Sequence, residues 1–427
     1  MQSTKKLKRL FLLGFLVFNF LYCLPSYATS NLQKTNGTPL FQFIEQTLEN
    51  NPAIRAAEAN VLAAHARQRA AAQPLYNPEI GGEVQSAIDN TYAVGINQTI
   101  DWVNKRGARI EVGSANIQVA NAELAALRQQ LAADILNALA AYQTSQQVVI
   151  LSKKRTQLLQ QFVTLTKKRF ATGDVARVDV DLSQLALSEG LAQQADAEVN
   201  QNQALQTLRE ITGFKQAEWP NFPSTLSPLH PTIHEMEALL YQLPTLQILN
   251  NQYLSAEAQI RFAQKQRYAD PTIGLQGGHQ EGAEGNDNLI GLTLSMPLNV
   301  RNTYRYEVDA ANADAIEADQ KRLDLVRQAR ADIESSAERY QMLYQTMQDW
   351  QQVSGKPLSD GITLINRLWQ AGELNSTDYL VQLKQRLDSQ IAGAELKGRA
   401  WQAWVAWLRA SGQSECWLKP IAIKGIK

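Results

Sequence analysis

The chain has 427 residues, 44% apolar, 19% charged and 7% aromatic, which excludes both a disordered tail and a disulfide-built miniprotein. Its 41 basic and 41 acidic residues cancel, so it lacks the basic excess that marks nucleic-acid binders, and no nucleic-acid partner is expected. Two cysteines, Cys23 and Cys416, allow one bridge at most, and four histidines are too few for a metal enzyme built on clustered imidazoles.

Taken in chain order, Lys5, Lys6, Lys8 and Arg9 precede an apolar run from Leu10 to Leu24, then Pro25 and the small-x-small pattern Ser26-Tyr27-Ala28. This is the layout of a secretory signal peptide cleaved after Ala28. The run is shorter than the ~20 residues of a helical membrane span, and no later segment is a candidate. Removing residues 1–28 leaves 37 basic against 41 acidic residues, a net charge of −4. Phe20-Leu21-Tyr22 precede Cys23 where a lipidated terminus needs a small residue, which argues against lipid attachment. Cys416 is then expected to be a lone thiol.

The rest of the chain is organised by a repeat. Asn77-Pro78-Glu79-Ile80-Gly81 recurs as Asp270-Pro271-Thr272-Ile273-Gly274, displaced by 193 residues. Gly95-Ile96-Asn97-Gln98 recurs as Gly291-Leu292-Thr293-Leu294, displaced by 196. Gly173-Asp174-Val175 with Asp179 recurs as Gly372-Glu373-Leu374 with Asp378, displaced by 199, an offset that Gly213 and Gly412 share. A displacement that drifts in one direction is that of a diverged duplication. The expected domains are therefore a signal peptide (1–28), a first repeat (29–213), a proline-rich linker (214–243), a second repeat (244–412) and a tail (413–427).

Within each repeat the hydrophobic period changes twice. Pro52 to Gln73 has helical spacing. Ile80, Gly82 and Val84, and after a turn at Asp89-Asn90 also Tyr92, Val94 and Ile96, then alternate with small or polar residues. The second repeat matches with Ile273 and Leu275, and with Ile290, Leu292, Leu294 and Met296. Four strands of about ten residues with one apolar face are expected, and no spare apolar layer exists to cover them. A helix from Val103 to about Phe170 follows, in which Leu124, Leu127, Leu131, Ile135, Leu139 and Tyr142 step by three or four. At 1.5 Å per residue it is a rod of about 100 Å. The chain turns at Ala171-Thr172-Gly173 and returns to Gly213; a short helix stacked on the returning one would match the rod in length. Pro357 falls inside the second rod and is expected to kink or break it.

Four strands cannot close a membrane barrel, and an open sheet edge cannot face lipid. Three copies would supply 12 strands above a ring of 12 rods. The fold class read from the pattern is mainly α with a small β part: duplicated long α-helical hairpins plus four transmembrane β-strands per chain, completed as a homotrimer.

The duplicated layout resembles the TolC-like outer-membrane efflux factors over nearly all of the mature chain. Asn51-Pro52-Ala53-Ile54, Asn77-Pro78-Glu79, Ile100-Asp101 with Lys105 to Arg109, Asp270-Pro271-Thr272, Met296-Pro297-Leu298 and Arg301-Asn302 are similar to the CzcC-type (cobalt-zinc-cadmium) branch. The resemblance implies an outer-membrane channel with a periplasmic helical tunnel, a passive conduit for divalent heavy-metal cations. It also implies a periplasmic adaptor (membrane fusion protein) and an inner-membrane, proton-driven RND-type pump as partners, with outer-membrane lipid around the barrel. The alternatives are a channel for drug efflux or type I protein secretion, and a non-pore periplasmic coiled-coil adaptor.

The candidate site is the pair of helix-hairpin turns, Gly173, Asp174, Val175 and Asp179 with Gly372, Glu373, Leu374 and Asp378. Glycine supplies the left-handed helix end and the acid favours the positive start of the next helix. In the resembled family these tips face the adaptor. His279, Glu281, Glu284 and Asp287 crowd the second strand loop but fix no coordination geometry, and read as a solvated loop. His230 and His234 near Glu235 lack the HExxH order, and His65 reads as a helix-surface residue. Trp401, Trp404 and Trp407 read as packing at a helix boundary. No cofactor, metal centre or catalytic constellation is expected.

Overall fold

The computed structural model describes residues 39–87, 89–215, 219–282 and 285–417, with 354–360 as backbone only. The described residues belong to one compact unit, Lys34–Lys427; a second unit, Met1–Gln33, lies outside them, as do Ala28, Cys23 and Glu284.

The elements are α1 (Pro39–Asn50), α2 (Pro52–Ala71), β1 (Glu79–Ser86), β2 (Asn90–Thr99), α3 (Lys105–Ala171) and α4 (Arg177–Thr212), then α5 (Ile233–Gln242), α6 (Pro244–Gln266), β3 (Thr272–Gly282), β4 (Gly285–Ser295), α7 (Arg305–Gln370) and α8 (Ser376–Ala410). The duplication is visible in the lengths: α3 and α7 have 67 and 66 residues, α4 and α8 have 36 and 35. Helix starts are encoded locally. Asn51 caps α2, accepting from Ala53 N at 2.8 Å ahead of Pro52. Thr232 and Glu235 form a reciprocal capping box that starts α5 inside the proline-rich segment. No described helix is long and apolar enough to cross a membrane.

Pro357 does not break its helix: α7 runs without interruption from Arg305 to Gln370. Proline removes one backbone donor from a long ladder, and the hydrogen bonding resumes on both sides. Cys416 is disulfide-bonded, and no described cysteine is free. The lone thiol expected at Cys416 is therefore not what the structure shows.

The four strands form one antiparallel sheet in the order β1-β2-β3-β4. Register places Ile80, Ile96, Leu275 and Leu292 in one row, and Gly81, Gly95, Gln276 and Gly291 in the next. Period two therefore carries Ile80, Val84, Tyr92, Val94, Ile96, Ile273, Leu275, Ile290, Leu292 and Leu294 to one face, while Leu289 lies on the other. That face is bare: Ile80 is 81% and Ile290 87% exposed. The other face carries Glu79, Glu83, Asn97, Gln276 and Thr293 among glycines. Among the described residues, the outer edges of β1 and β4 are unpaired.

Below the sheet, α3 and α6 are flanked by α2 and α7; further along, α3 and α8 are flanked by α4 and α7. The core sits where α1, α5 and the proline-rich segment wrap these rods. Phe43, Ile135, Leu136, Leu139, Leu208, Ile333, Tyr340, Trp401 and Trp407 are buried there. Trp401 packs on Phe222 at 4.5 Å and Trp404 on Tyr340 at 4.9 Å between ring centroids, so the tryptophan steps are packing residues, as expected.

Candidate functional site

Each hairpin tip is built by the same local chemistry. Gly173 and Gly372 hold φ of +82° and +83°, and the following amides close each helix end, Asp174 N on Arg169 O at 2.8 Å and Glu373 N on Leu368 O at 2.9 Å. The acidic residues then start the returning helices. Asp179 Oδ2 accepts from Ala176 N at 3.0 Å; Asn375 Oδ1 accepts from Asp378 N at 2.8 Å while Asn375 Nδ2 donates to Asp378 Oδ2 at 2.7 Å. Gly173, Asp174, Gly372, Glu373 and Asp378 are exposed, whereas Val175, Asp179 and Leu374 are half-buried. A Cβ at Gly173 meets no atom within 4 Å, so Gly173→Ala is a test of backbone strain alone. It is expected to cost about 1–2 kcal/mol, read as a shifted denaturation midpoint of the detergent-solubilised protein.

The structure brings the two tips together through residues that the sequence did not single out. Arg169 Nη2 donates to Trp369 O at 2.7 Å and Gln370 O at 3.1 Å, and its guanidinium lies 4.9 Å from the Trp369 ring centroid. A cation thus meets the negative end of α7 and an aromatic face at once. Trp369 stacks on Tyr379 at 4.6 Å, and both contact Phe162. Burial pushes the Tyr379 phenol up to about 12, so it stays neutral and donates to Asn366. Higher up, buried Arg155 on α3 joins Gln193 of α4 to Asp388 of α8, and Lys384 meets Glu189 at 2.7 Å. The sequence signal for these contacts was only a charged or aromatic residue near each turn.

At the other end, the quoted motifs of both repeats meet beneath the sheet. Asp270 accepts from Lys105 Nζ at 2.8 Å and from Tyr76 OH at 2.7 Å. Burial, then the bond to Asp270, push the Tyr76 phenol up to about 12, keeping it a neutral donor. Asp101 caps α3, accepting from Lys105 N at 2.7 Å and Arg106 N at 2.8 Å. Asn104 and Tyr304, the matching junctions, both adopt left-handed φ, of 58° and 52°.

His279 and Glu281 lie within β3 and Asp287 within β4, where the sequence reading expected a loop. His279 Nδ1 lies 3.3 Å from Asn288 Oδ1, and among the described residues no group of three or more His, Cys, Asp or Glu could hold a metal ion. His65, His230 and His234 are exposed.

With this geometry in place, comparison with known proteins is informative. Residues 43–214 match the family model described as outer membrane efflux protein. The nickel-cobalt-cadmium resistance protein NccC of Alcaligenes xylosoxydans xylosoxydans is 28% identical over 313 residues, covering 70% of this chain and 69% of that protein. The nickel and cobalt resistance protein CnrC of Cupriavidus metallidurans is 27% identical over 319 residues, covering 68% and 70%. Among solved structures, the outer membrane protein VceC of Vibrio cholerae superposes with a TM-score of 0.70 at 20% identity, covering 87% of this chain and 96% of that one; this likeness speaks to the fold. A bare apolar sheet face, open strand edges and duplicated rods agree with these likenesses: the chain has the fold of the TolC-like outer-membrane channels, and its residues 43–214 match the outer membrane efflux protein family.

Proposed function

We propose that three copies close a 12-stranded barrel, β1 of one copy pairing with β4 of the next, to form a passive conduit for divalent heavy-metal cations. One observation carries the reading: a sheet whose apolar face is exposed and whose two edges are unpaired among the described residues. Lipid can cover the face but leaves the edge amides and carbonyls unsatisfied, so a copy of the same chain is the natural cover. The helix layer ends in the same way. Val178, Leu182 and Leu185 on α4 and Ile316, Leu323 and Val353 on α7 are exposed at the two flanks, where a head-to-tail ring would bury them. The cargo follows from NccC and CnrC, both described as metal-resistance proteins.

The tips at Gly173, Asp174, Val175, Asp179, Gly372, Glu373, Leu374 and Asp378 dock a periplasmic adaptor that connects the channel to an inner-membrane RND-type pump. The test is deletion followed by growth on nickel, cobalt, cadmium and a drug panel. Metal sensitivity alone is expected; drug sensitivity without metal sensitivity replaces the cargo. A soluble periplasmic monomer in place of a heat-resistant trimer in solubilised outer membranes rejects the conduit. For the tips, Asp378→Lys is expected to lower metal resistance and adaptor crosslinking while the trimer persists. Loss of the Asn375–Asp378 cap costs only about 1 kcal/mol. Unchanged resistance together with unchanged crosslinking would remove the tips from the docking surface.

A further inference from the structure

The charge pattern around the sheet is bracketed. Between Arg69 and Lys105, and between Arg267 and Arg301, the sequence contains no lysine or arginine. The strands and their loops carry only acids, and bases return on both sides of both hairpins. In the structure these bases stand at the junction of sheet and helix: Arg69 in the last turn of α2, Arg106 in the first turn of α3, Arg267 at the end of α6 and Arg301 just before α7. All four are exposed, and none has an ion pair among the described residues. Beside them are large exposed aromatics, Trp102 at 55% with its indole N–H on Ala269 O at 2.7 Å, and Tyr268. Amphipathic rings of this kind sit at the boundary between hydrocarbon and headgroups.

Depth agrees with charge. The apolar face ends at Ile80, Ile96, Ile273 and Met296, and a headgroup layer is about 5–8 Å thick. Four helical residues rise about 6 Å, so the first turn of α3 and the last turn of α2 fall within that layer. We infer that Arg69, Arg106, Arg267 and Arg301 form a collar that binds the phosphate groups of anionic phospholipids in the periplasmic leaflet. The guanidinium fork matches a phosphate oxygen pair, and the adjoining apolar face takes the acyl chains. A second basic pair provides an internal control. Arg67 and Arg109 also lack ion pairs among the described residues, but they line a groove of about 420 Å³ between α2, α3 and α6. Gln68 packs on Gly113 of α3, which puts Arg67 and Arg69 on opposite flanks of α2.

The inference rests on the sheet being embedded in lipid, and flotation reads that separately. The full-length protein is reconstituted into vesicles of phosphatidylcholine mixed with phosphatidylglycerol, extracted in mild detergent, and its retained lipid is quantified. Phosphatidylglycerol is expected to be enriched about fivefold over the bulk ratio for each basic contact. The R69Q/R106Q/R267Q/R301Q variant is expected to fall to the bulk ratio, and R67Q/R109Q to keep the enrichment. Bulk-ratio retention by the unaltered protein overturns the collar, as does enrichment that survives in the fourfold variant. Should the variant fail to insert, the comparison of the two lipids on the unaltered protein still decides. Displacement of the lipid by excess inorganic phosphate would reassign the site to a free anion, and failure of the unaltered protein to float would reject the embedded sheet instead.

Discussion

Lys105→Met is expected to destabilise the protein by about 3–5 kcal/mol, because it leaves a buried carboxylate without its cation. The Asp270 side chain is 2% exposed and that of Lys105 11%, with Nζ 2.8 Å from Oδ2. Oδ1 is also buried and makes no hydrogen bond to the described residues, so Tyr76 OH would be the only remaining donor to the group. Asp101, just ahead of α3, is occupied with helix-start amides and adds negative charge. Lys105→Met/Asp270→Leu, which removes both charges, is expected to regain most of the loss. Guanidinium unfolding of the unaltered protein and the two variants in the same detergent checks this, and a single and a double variant of equal stability would show that the pair is not the source. The position of the pair explains its weight. Lys105 begins the first repeat's rod and Asp270 leads into the second repeat's first strand, so this contact ties the two copies at the base of the sheet.

A charge placed on the sheet should obey parity. Ile290→Arg is expected to cost about 2–4 kcal/mol for insertion, the penalty for a cation at mid-depth on the lipid face of a barrel. Leu289→Arg, one residue away but on the polar face, is expected to insert almost normally. Ile290 pairs with Gly277 and belongs to the face of Leu275 and Leu292; Leu289 pairs with Gly278 and faces the other way. Equilibrium folding into vesicles, followed by heat-modifiable mobility, separates the two. Equal penalties would mean that both faces meet the same medium, which an aqueous lumen does not allow.

Much of this architecture was legible beforehand because it depends on short-range periodicity. Alternation at Ile80, Val84, Tyr92 and Ile96 marks the strands, and three-to-four spacing along α3 marks the rod. A glycine followed by an acid marks both tips, where backbone and capping chemistry are local. Less legible was the helix α5: it lies among prolines, which argue against helix, yet the Thr232–Glu235 capping box lets it start after the last of them. Pro357 was overestimated for a related reason, since a rod held by neighbours along its length tolerates one missing donor.

By itself the sequence determined the compartment, the strand faces and the helix lengths, and raised the expectation of more than one copy. Each of these follows from composition, from spacing along the chain, or from the rule that backbone groups in lipid must be paired. Only the tertiary structure decided which residues of one repeat meet those of the other. Arg169 reaches across 200 positions to the end of α7, and Lys105 across 165 to Asp270. Such contacts leave no period in the sequence, because a single side chain far along the chain satisfies them. Their strength comes from burial and helix-end charge, which exist only once the rods lie side by side.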